Sequence, residues 1–281
     1  MTPNPPLVAL YVPGDRPDRF GTAMSAGADV VFVDLEDAVV PAHKAQARDA
    51  AVALLADRPG CPVVVRINGI DTPWGEDDLD AMAGRAHLAG VRVPKVETTA
   101  QVRRIAERLP AVPIHALIES AVGVENMHEI AHAPNLASIG LGDADLRSDL
   151  GITDPDGLAW IRSRTVVAAR AAGLPAPMMS VYTAVNDLDG LASSCAAGKA
   201  HGFVGRAAIH PRQIPVIRAA FQPDQREIDN AHAVLAALDD AAAAGSGVAV
   251  LPSGRMVDAA MRRQAERIIA LDANTLAQER T

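Results

Sequence analysis

Charged side chains in this chain cluster where short apolar runs end. VVFVDLED carries Asp34, Glu36 and Asp37, VVVRIN carries Arg66 and Asn68, GVRVPK closes on Lys95, IHALIE closes on Glu119, and LASIGLGDAD runs into Asp143 and Asp145. If these runs are neighbouring parallel strands, the acids and bases converge on one rim, where burial makes sense only for charges that pair or hold a cation. Glu119 and Asp145 then present two carboxylates to one mouth. Two carboxylates, with water and substrate completing the shell, suit Mg²⁺, a hard ion that takes oxygen ligands. The same pair could instead neutralise Arg66 and Lys95 in a salt-bridge network. Arg66 stands among valines, where a guanidinium must face an anion, and its fork suits a carboxylate or a developing enolate oxygen. Lys95, following Pro94, either caps the rim acids or binds substrate.

Other polar residues carry less. His128, Glu129 and His132 spell HEIAH, a zinc-peptidase spacing that needs both imidazoles on a protected helix face. Val124, Met127 and Ala131 form the apolar stripe there, which leaves the histidines on the solvent side, and Pro134 ends the helix just beyond them. His210 precedes Pro211 and shapes a strand-to-helix turn, with substrate binding as the other possibility. Cys61 and Cys195 lie in no CxxC or ligand cluster and read as packing residues. Neither GLGD nor GKAHGFVG fits a dinucleotide or P-loop fingerprint.

The elements that must position the rim residues alternate along the chain. Strand candidates at 7–12, 30–36, 63–68, 90–95, 114–119, 136–142, 178–183 and 202–209 are each followed by a helical segment, at 16–26, 43–57, 76–88, 98–109, 121–133, 154–172, 187–200 and 211–221. Strict alternation means parallel strands with right-handed crossovers, and eight such units predict an α/β fold of the TIM type, a (β/α)8 barrel. In such barrels the site gathers at the carboxyl ends of the strands, where these charges fall. Beyond Phe221 the alternation stops: a helix at 224–244, a Gly-containing turn, a short VAVL run and a last helix at 257–271. This tail is too small for an independent core, so it should pack on the barrel or on a neighbouring subunit.

The 281 residues are 49% hydrophobic and 21% charged, enough for a buried core. A net charge of −8 and eight aromatic residues argue against a nucleic-acid partner, which calls for basic patches and stacking platforms. The opening TPNPPLVALYVPG has neither a positive n-region nor a long apolar run, so neither a signal peptide nor a membrane span is expected and the cytoplasm is the expected compartment.

With these residues in place, the chain resembles the citrate lyase beta subunit and malyl-CoA lyase family, the HpcH/HpaI aldolase superfamily of Mg²⁺-dependent carbon–carbon lyases. LYVPGDRPDRF, DVVFVDLEDAV, VVVRING, VRVPKVE, ALIESAVGV, GLGDADL, GFVGRAAIHPRQI and SGRMVDAA occur in order. The resemblance implies a barrel over 1–222 and a C-terminal lid or oligomerisation segment over 223–281. It implies Glu119 and Asp145 as Mg²⁺ ligands, Arg66 and Glu119 against the substrate, and Asp34, Glu36 and Asp37 ordering the metal waters and fixing Arg66. Asp258, in GRMVDAA, matches an acid that swings over a neighbouring subunit's site and transfers a proton. Lys44, with Arg48, matches positions near the phosphates of a CoA ester, and Lys95 lies on the substrate side of the rim. The implied reaction is cleavage of a hydroxy-dicarboxylic acyl-CoA thioester such as malyl-CoA or citramalyl-CoA, by a homo-oligomer, a trimer or hexamer. Two other activities fit the same residues: an acyl-CoA thioesterase in the same site, and a citrate lyase beta subunit active only with partners. In APMMSVYTAV, where relatives often carry an acid, the nearest position is Met179, and a wall lined by Met178 and Met179 would admit a bulkier acyl group.

Overall fold

The computed structural model describes residues 5–278, so the ends of the two expected segments, 1–4 and 279–281, lie outside the described residues. The chain divides into two compact units, Pro5–Phe221 and the segment from Gln222 onward. In chain order the first unit contains β1 (Val8–Pro13), α1 (Phe20–Met24), β2 (Val30–Asp34), α2 (Lys44–Ala56), β3 (Val63–Arg66), α3 (Pro73–Met82), β4 (Leu88–Val93), α4 (Thr99–Arg108) and β5 (Ile114–Ile118). It continues with α5 (Ala121–Glu125), α6 (Met127–Ala131), β6 (Leu136–Leu141), α7 (Asp143–Leu150), α8 (Ala159–Ala171), α9 (Leu188–Ala200), β7 (Arg206–Ala208) and α10 (Ile214–Phe221).

Seven strands form one parallel sheet in the order β6-β5-β4-β3-β2-β1-β7. The strand expected at 178–183 is reduced to a single bridge from Met179 to Arg206. On one side, Met179 N–H donates to Gly205 O at 3.0 Å and Ala207 N–H to Met179 O at 3.1 Å. On the other, the Ser180 hydroxyl donates to Leu141 O at 3.1 Å. This segment thus spans the gap between the edge strands β6 and β7 without a full backbone ladder. Pro175 and Pro177 lead into it and have no N–H to donate, which explains the shortfall.

VVFV of β2 and VVV of β3 are buried throughout because helices cover one face and side chains fill the other. On the inner face Ala9, Val30, Phe32, Val64 and Ala207 form one buried cluster, with Tyr11, Met178 and Val181 packed against it. Small residues keep this face open. A Cβ on Gly90 would come 2.8 Å from His115 Nε2, and one on Gly140 would come 3.3 Å from Arg92 Nη2. Met179 points the other way, into α9, where a Cβ on Gly198 would meet its sulfur at 2.0 Å. The expected wall of two methionines is therefore corrected: only Met178 joins the inner cluster.

The helix α7 falls between the helical segments that the sequence predicts. It starts directly after Gly142 and ends on Gly151, whose φ of 64° is the left-handed cap that favours glycine.

The second unit contains α11 (Gln225–Ala243), the antiparallel hairpin β8 (Val248–Val250) and β9 (Met256–Asp258), and α12 (Ala259–Gln278). Asp224 and Glu227 close a reciprocal cap at the start of α11. Contrary to the expectation that this tail lacks a core, Ala231, Val234, Leu238, Leu251, Val257 and Ala265 form a buried cluster of their own. The last helix starts two residues later than the sequence suggests, because Val257 is taken into the hairpin, inward-facing, between exposed Met256 and half-buried Asp258.

Candidate active site

Arg66 ends β3 directly beside Asp34, its register partner on β2. The pairing is bidentate, Nε to Oδ1 at 2.7 Å and Nη2 to Oδ2 at 2.6 Å. Nη1 lies 3.0 Å from Glu36 Oε2 as an ion pair, and 3.7 Å from Asp37. Burial disfavours the guanidinium charge, yet Asp34 and Glu36 outweigh it and raise the pKa. Two of the five N–H donors are thus engaged in hydrogen bonds, Nη1 is held by the Glu36 ion pair, and N–H groups remain for a ligand. The ring of Tyr11 underlies the group at 5.1 Å. Asp34 is 1% exposed and also accepts from the backbone N–H of Glu36 and Ala38, so it fixes the turn that carries Glu36 and Asp37. Of the three acids expected to fix Arg66, Asp34 is the principal partner. Asp37 is exposed and stands at the edge of the cluster.

Lys95 ion-pairs with Glu36 through Nζ, and its backbone N–H donates to Glu119 Oε2 at 3.0 Å. Its φ of 54° is a left-handed conformation for a non-glycine residue, and that conformation aims the N–H at Glu119. Between the two roles left open for Lys95, the rim-capping one is the one its contacts fulfil.

Glu119 follows β5 and is 5% exposed, with Lys95 N–H as its one hydrogen-bond partner. Burial, then the nearby charges of Glu36 and Asp145, push its carboxyl up to about 7. Gly142 makes room for it, since a Cβ there would come 2.3 Å from Glu119 Oε1. Asp145, in the first turn of α7, is half-buried and makes no hydrogen bond or ion pair with any described residue. Neither acid pairs with Arg66; Lys95 meets Glu119 by a hydrogen bond from its backbone N–H and by the attraction of its ammonium charge, which is the part of the salt-bridge alternative that the contacts retain. A buried carboxylate and an unpaired one that repel each other form a site that a cation would relieve. No cluster of three or more His, Cys, Asp or Glu able to hold a metal occurs among the described residues. Two oxygen donors without a third protein ligand fit Mg²⁺, which keeps waters and substrate oxygens in its shell.

Two expectations are corrected. Lys44 is 5% exposed and its Nζ donates to Leu35 O at 2.8 Å and Glu36 O at 2.7 Å, so it braces the β2 turn instead of reaching a phosphate. Burial pushes its pKa down. Arg48 is likewise committed, donating from Nε to Asp78 at 2.7 Å. His210 accepts from Arg212 N–H at 3.1 Å and caps the turn before α10. His128 and His132 are exposed on and just after α6, and Asn126 splits the expected helix into two short ones. Asp258 belongs to the second unit, where Oδ1 accepts from Ala260 N–H at 2.9 Å.

A rim of paired acids and arginine beside an uncompensated carboxylate pair, at the carboxyl ends of a curled parallel sheet, defines a metal-assisted enzyme of the TIM-barrel type. The chain belongs to the HpcH/HpaI aldolase/citrate lyase family, whose match spans residues 7–211. Residues 164–273 also match the carbon–carbon bond lyases of the TIM-barrel fold. It is 38% identical over 254 residues to (3S)-malyl-CoA thioesterase of Cereibacter sphaeroides, covering 89% of this chain and 88% of that protein. It is 37% identical to the citrate lyase subunit beta of Leuconostoc mesenteroides subsp. cremoris, over 93% of this chain and 91% of that one. The structure of CitE from Mycobacterium tuberculosis in complex with magnesium, acetoacetate and coenzyme A superimposes with a TM-score of 0.82 at 34% identity, covering 96% and 99% of the two chains. Members of this family are lyases and CoA-ester-processing enzymes, and solved relatives contain bound magnesium.

Proposed function

We propose that this chain is a Mg²⁺-dependent carbon–carbon lyase that cleaves a hydroxy-dicarboxylic acyl-CoA thioester such as malyl-CoA or citramalyl-CoA. The observation that carries the reading is the pair Glu119 and Asp145, buried or half-buried and mutually repelling, with no ion pair from a described residue to either carboxylate and the Lys95 charge too weak to offset burial at Glu119. Mg²⁺ held by these two carboxylates would supply the Lewis acidity that acidifies the substrate hydroxyl and orients it for cleavage. Loss of the hydroxyl proton turns the C–O bond into a carbonyl as the adjacent carbon–carbon bond breaks, and its electron pair moves onto the thioester as an enolate. The unused N–H groups of Arg66, whose guanidinium is held by Asp34 and Glu36, stabilise the enolate oxygen. Asp258 takes up the proton that the hydroxyl gives up and delivers it to the enolate carbon, giving an acyl-CoA and a 2-oxo acid with no net change in protons. In this reading the segment from residue 223 is a lid that brings Asp258 to the site of a neighbouring subunit in a trimer or hexamer.

The free, buried state of Cys61 and Cys195 suits the reducing cytoplasm. No helix among the described residues is long and apolar enough to cross a membrane.

A second reading is supported by the thioesterase relative: water attacks the acyl carbon in the same site and free CoA is released. A third, supported by the citrate lyase subunit, makes the chain active only beside partners. Chromatography of malyl-CoA and citramalyl-CoA incubated with the purified chain, with and without EDTA, separates the three. Mg²⁺-dependent acetyl-CoA is the expected product; free CoA alone would establish hydrolysis, and no turnover would leave the partner-dependent subunit.

A further inference from the structure

Arg66, Arg92, His115 and Ser138 are lateral register partners across β3 to β6. Laterally paired residues of parallel strands point to the same face, and Arg66 lies on the inner face against Tyr11. Arg92 therefore points inward too. It is 6% exposed, with its guanidinium 4.9 Å from the centre of the Phe32 ring.

The partners of the two arginines differ. The Arg92 side chain makes no hydrogen bond or ion pair with any described residue, and its Nε is fully buried. A ring face compensates a buried cation only in part, and an unpaired buried guanidinium is costly. Its neighbours supply no anion. His115 engages the Ser138 hydroxyl through Nδ1 at 2.8 Å, and burial together with Arg92 holds its pKa down to about 4, so the imidazole is neutral. Gly140 places only hydrogen beside Nη2. A planar fork with unused donors, pointing into the inner space at the level of Arg66, is a receptor for a carboxylate.

We propose that Arg92 recognises the free carboxylate of the acyl group and so selects dicarboxylic over monocarboxylic acyl thioesters. The assignment rests on the lyase or thioesterase reading of this site and names the side chain that reads the second acid.

Isothermal titration of the full chain with pyruvate and with uncharged methyl pyruvate, in EDTA and in Mg²⁺, tests it. The wild type should prefer pyruvate by about tenfold or more under both conditions, the scale of a charge-assisted hydrogen bond. Arg92→Met, which can still lie against Phe32, should bring the ratio close to one while the thermal midpoint stays or rises, because an unpaired buried charge has been removed. A lowered midpoint with an unchanged ratio would make Arg92 a packing residue and overturn the assignment. Gly140→Ala keeps the guanidinium and crowds Nη2; it should also lower the ratio, and it decides the matter if Arg92→Met does not fold. No preference in the wild type overturns the proposal as well. Retained pyruvate preference without turnover of any CoA ester would instead sink the stand-alone lyase and thioesterase readings and leave Arg92 as a carboxylate receptor.

Discussion

On the β2 to β4 side of the rim, Asp34, Glu36 and Asp37 face Arg66 and Lys95, and nearly every charge has a partner within 4 Å. On the β5 to β6 side, the Glu119 and Asp145 carboxylates repel each other and neither forms an ion pair with a described residue, the Lys95 charge only partly offsetting the burial of Glu119. Both sides are built from carboxylates at strand ends, yet one is closed electrostatically and the other open. A compensated cluster holds its shape without a ligand and can keep Arg66 rigid. An uncompensated one costs stability until a cation arrives, which is how a binding site differs from a scaffold.

The comparison breaks most visibly at Glu119. Glu119→Ala should abolish Mg²⁺ binding by titration and lower turnover by at least about a thousandfold, since the metal contributes several kcal/mol of transition-state stabilisation. Near wild-type turnover would return Glu119 to the scaffold. Arg66→Lys comes next: a point charge cannot keep both the Asp34 fork and an enolate contact, so about 2–4 kcal/mol of transition-state stabilisation should disappear from kcat. An unchanged kcat would assign Arg66 to architecture alone.

Asp258→Ala should lose about a hundredfold or more in turnover as the proton donor goes. Mixing it with Arg66→Ala protein should recover part of the activity if the two residues meet across a subunit boundary. No recovery after verified subunit exchange would restrict Asp258 to its own chain.

Gly142→Ala probes the open side by sterics, because the new Cβ would collide with Glu119 Oε1. A stability loss of about 1–3 kcal/mol in denaturant melts, with weakened Mg²⁺ binding, is expected. A silent substitution would show that Glu119 has room to move.

The smallest effect is a pH dependence inside the sheet. The folded-state pKa of His115 is lowered to about 4, by burial first and Arg92 second, from an ordinary value near 6.5. The unfolded chain therefore binds the extra proton between these values. Stability is full above about pH 6.5 and falls as the pH drops toward 4, by about 1–3 kcal/mol. His115→Gln should flatten that slope in urea melts at stepped pH, and a slope equal to the wild type would place the titration elsewhere.

Much of the closed side was legible in the sequence. An arginine inside VVVR needs an anion whatever the fold, and the acids of VDLED are the nearest supply. The carboxylates of the open side were legible as types at strand ends, because apolar runs followed by a single acid mark where a buried strand meets a rim. Less could be read where the backbone itself acts. The left-handed turn at Lys95 that aims an N–H at Glu119, and the helix α7 that presents Asp145, leave only glycines and short polar runs as local traces. Lys44 looked free for a phosphate because a lysine at a helix start is ordinarily solvated; its burial comes from the curl of the β2 turn over its stem. Met178 and Met179 are adjacent, and only the strand pairing tells which one faces inward.

The sequence by itself determined the alternation of strands and helices, the charge types at the strand ends and the family, because hydrophobic period and motif order are properties of the chain. Which charges pair and which stay unpaired was decided by tertiary structure. Asp34 and Arg66 are 32 residues apart, and only the β2 to β3 register brings them to 2.6 Å. Arg92 sits in an equally apolar strand, one register position from Arg66, and no part of the sequence places an acid beside it. Pairing depends on which side chains share a face and a level in the sheet, and that is a property of the assembled strands.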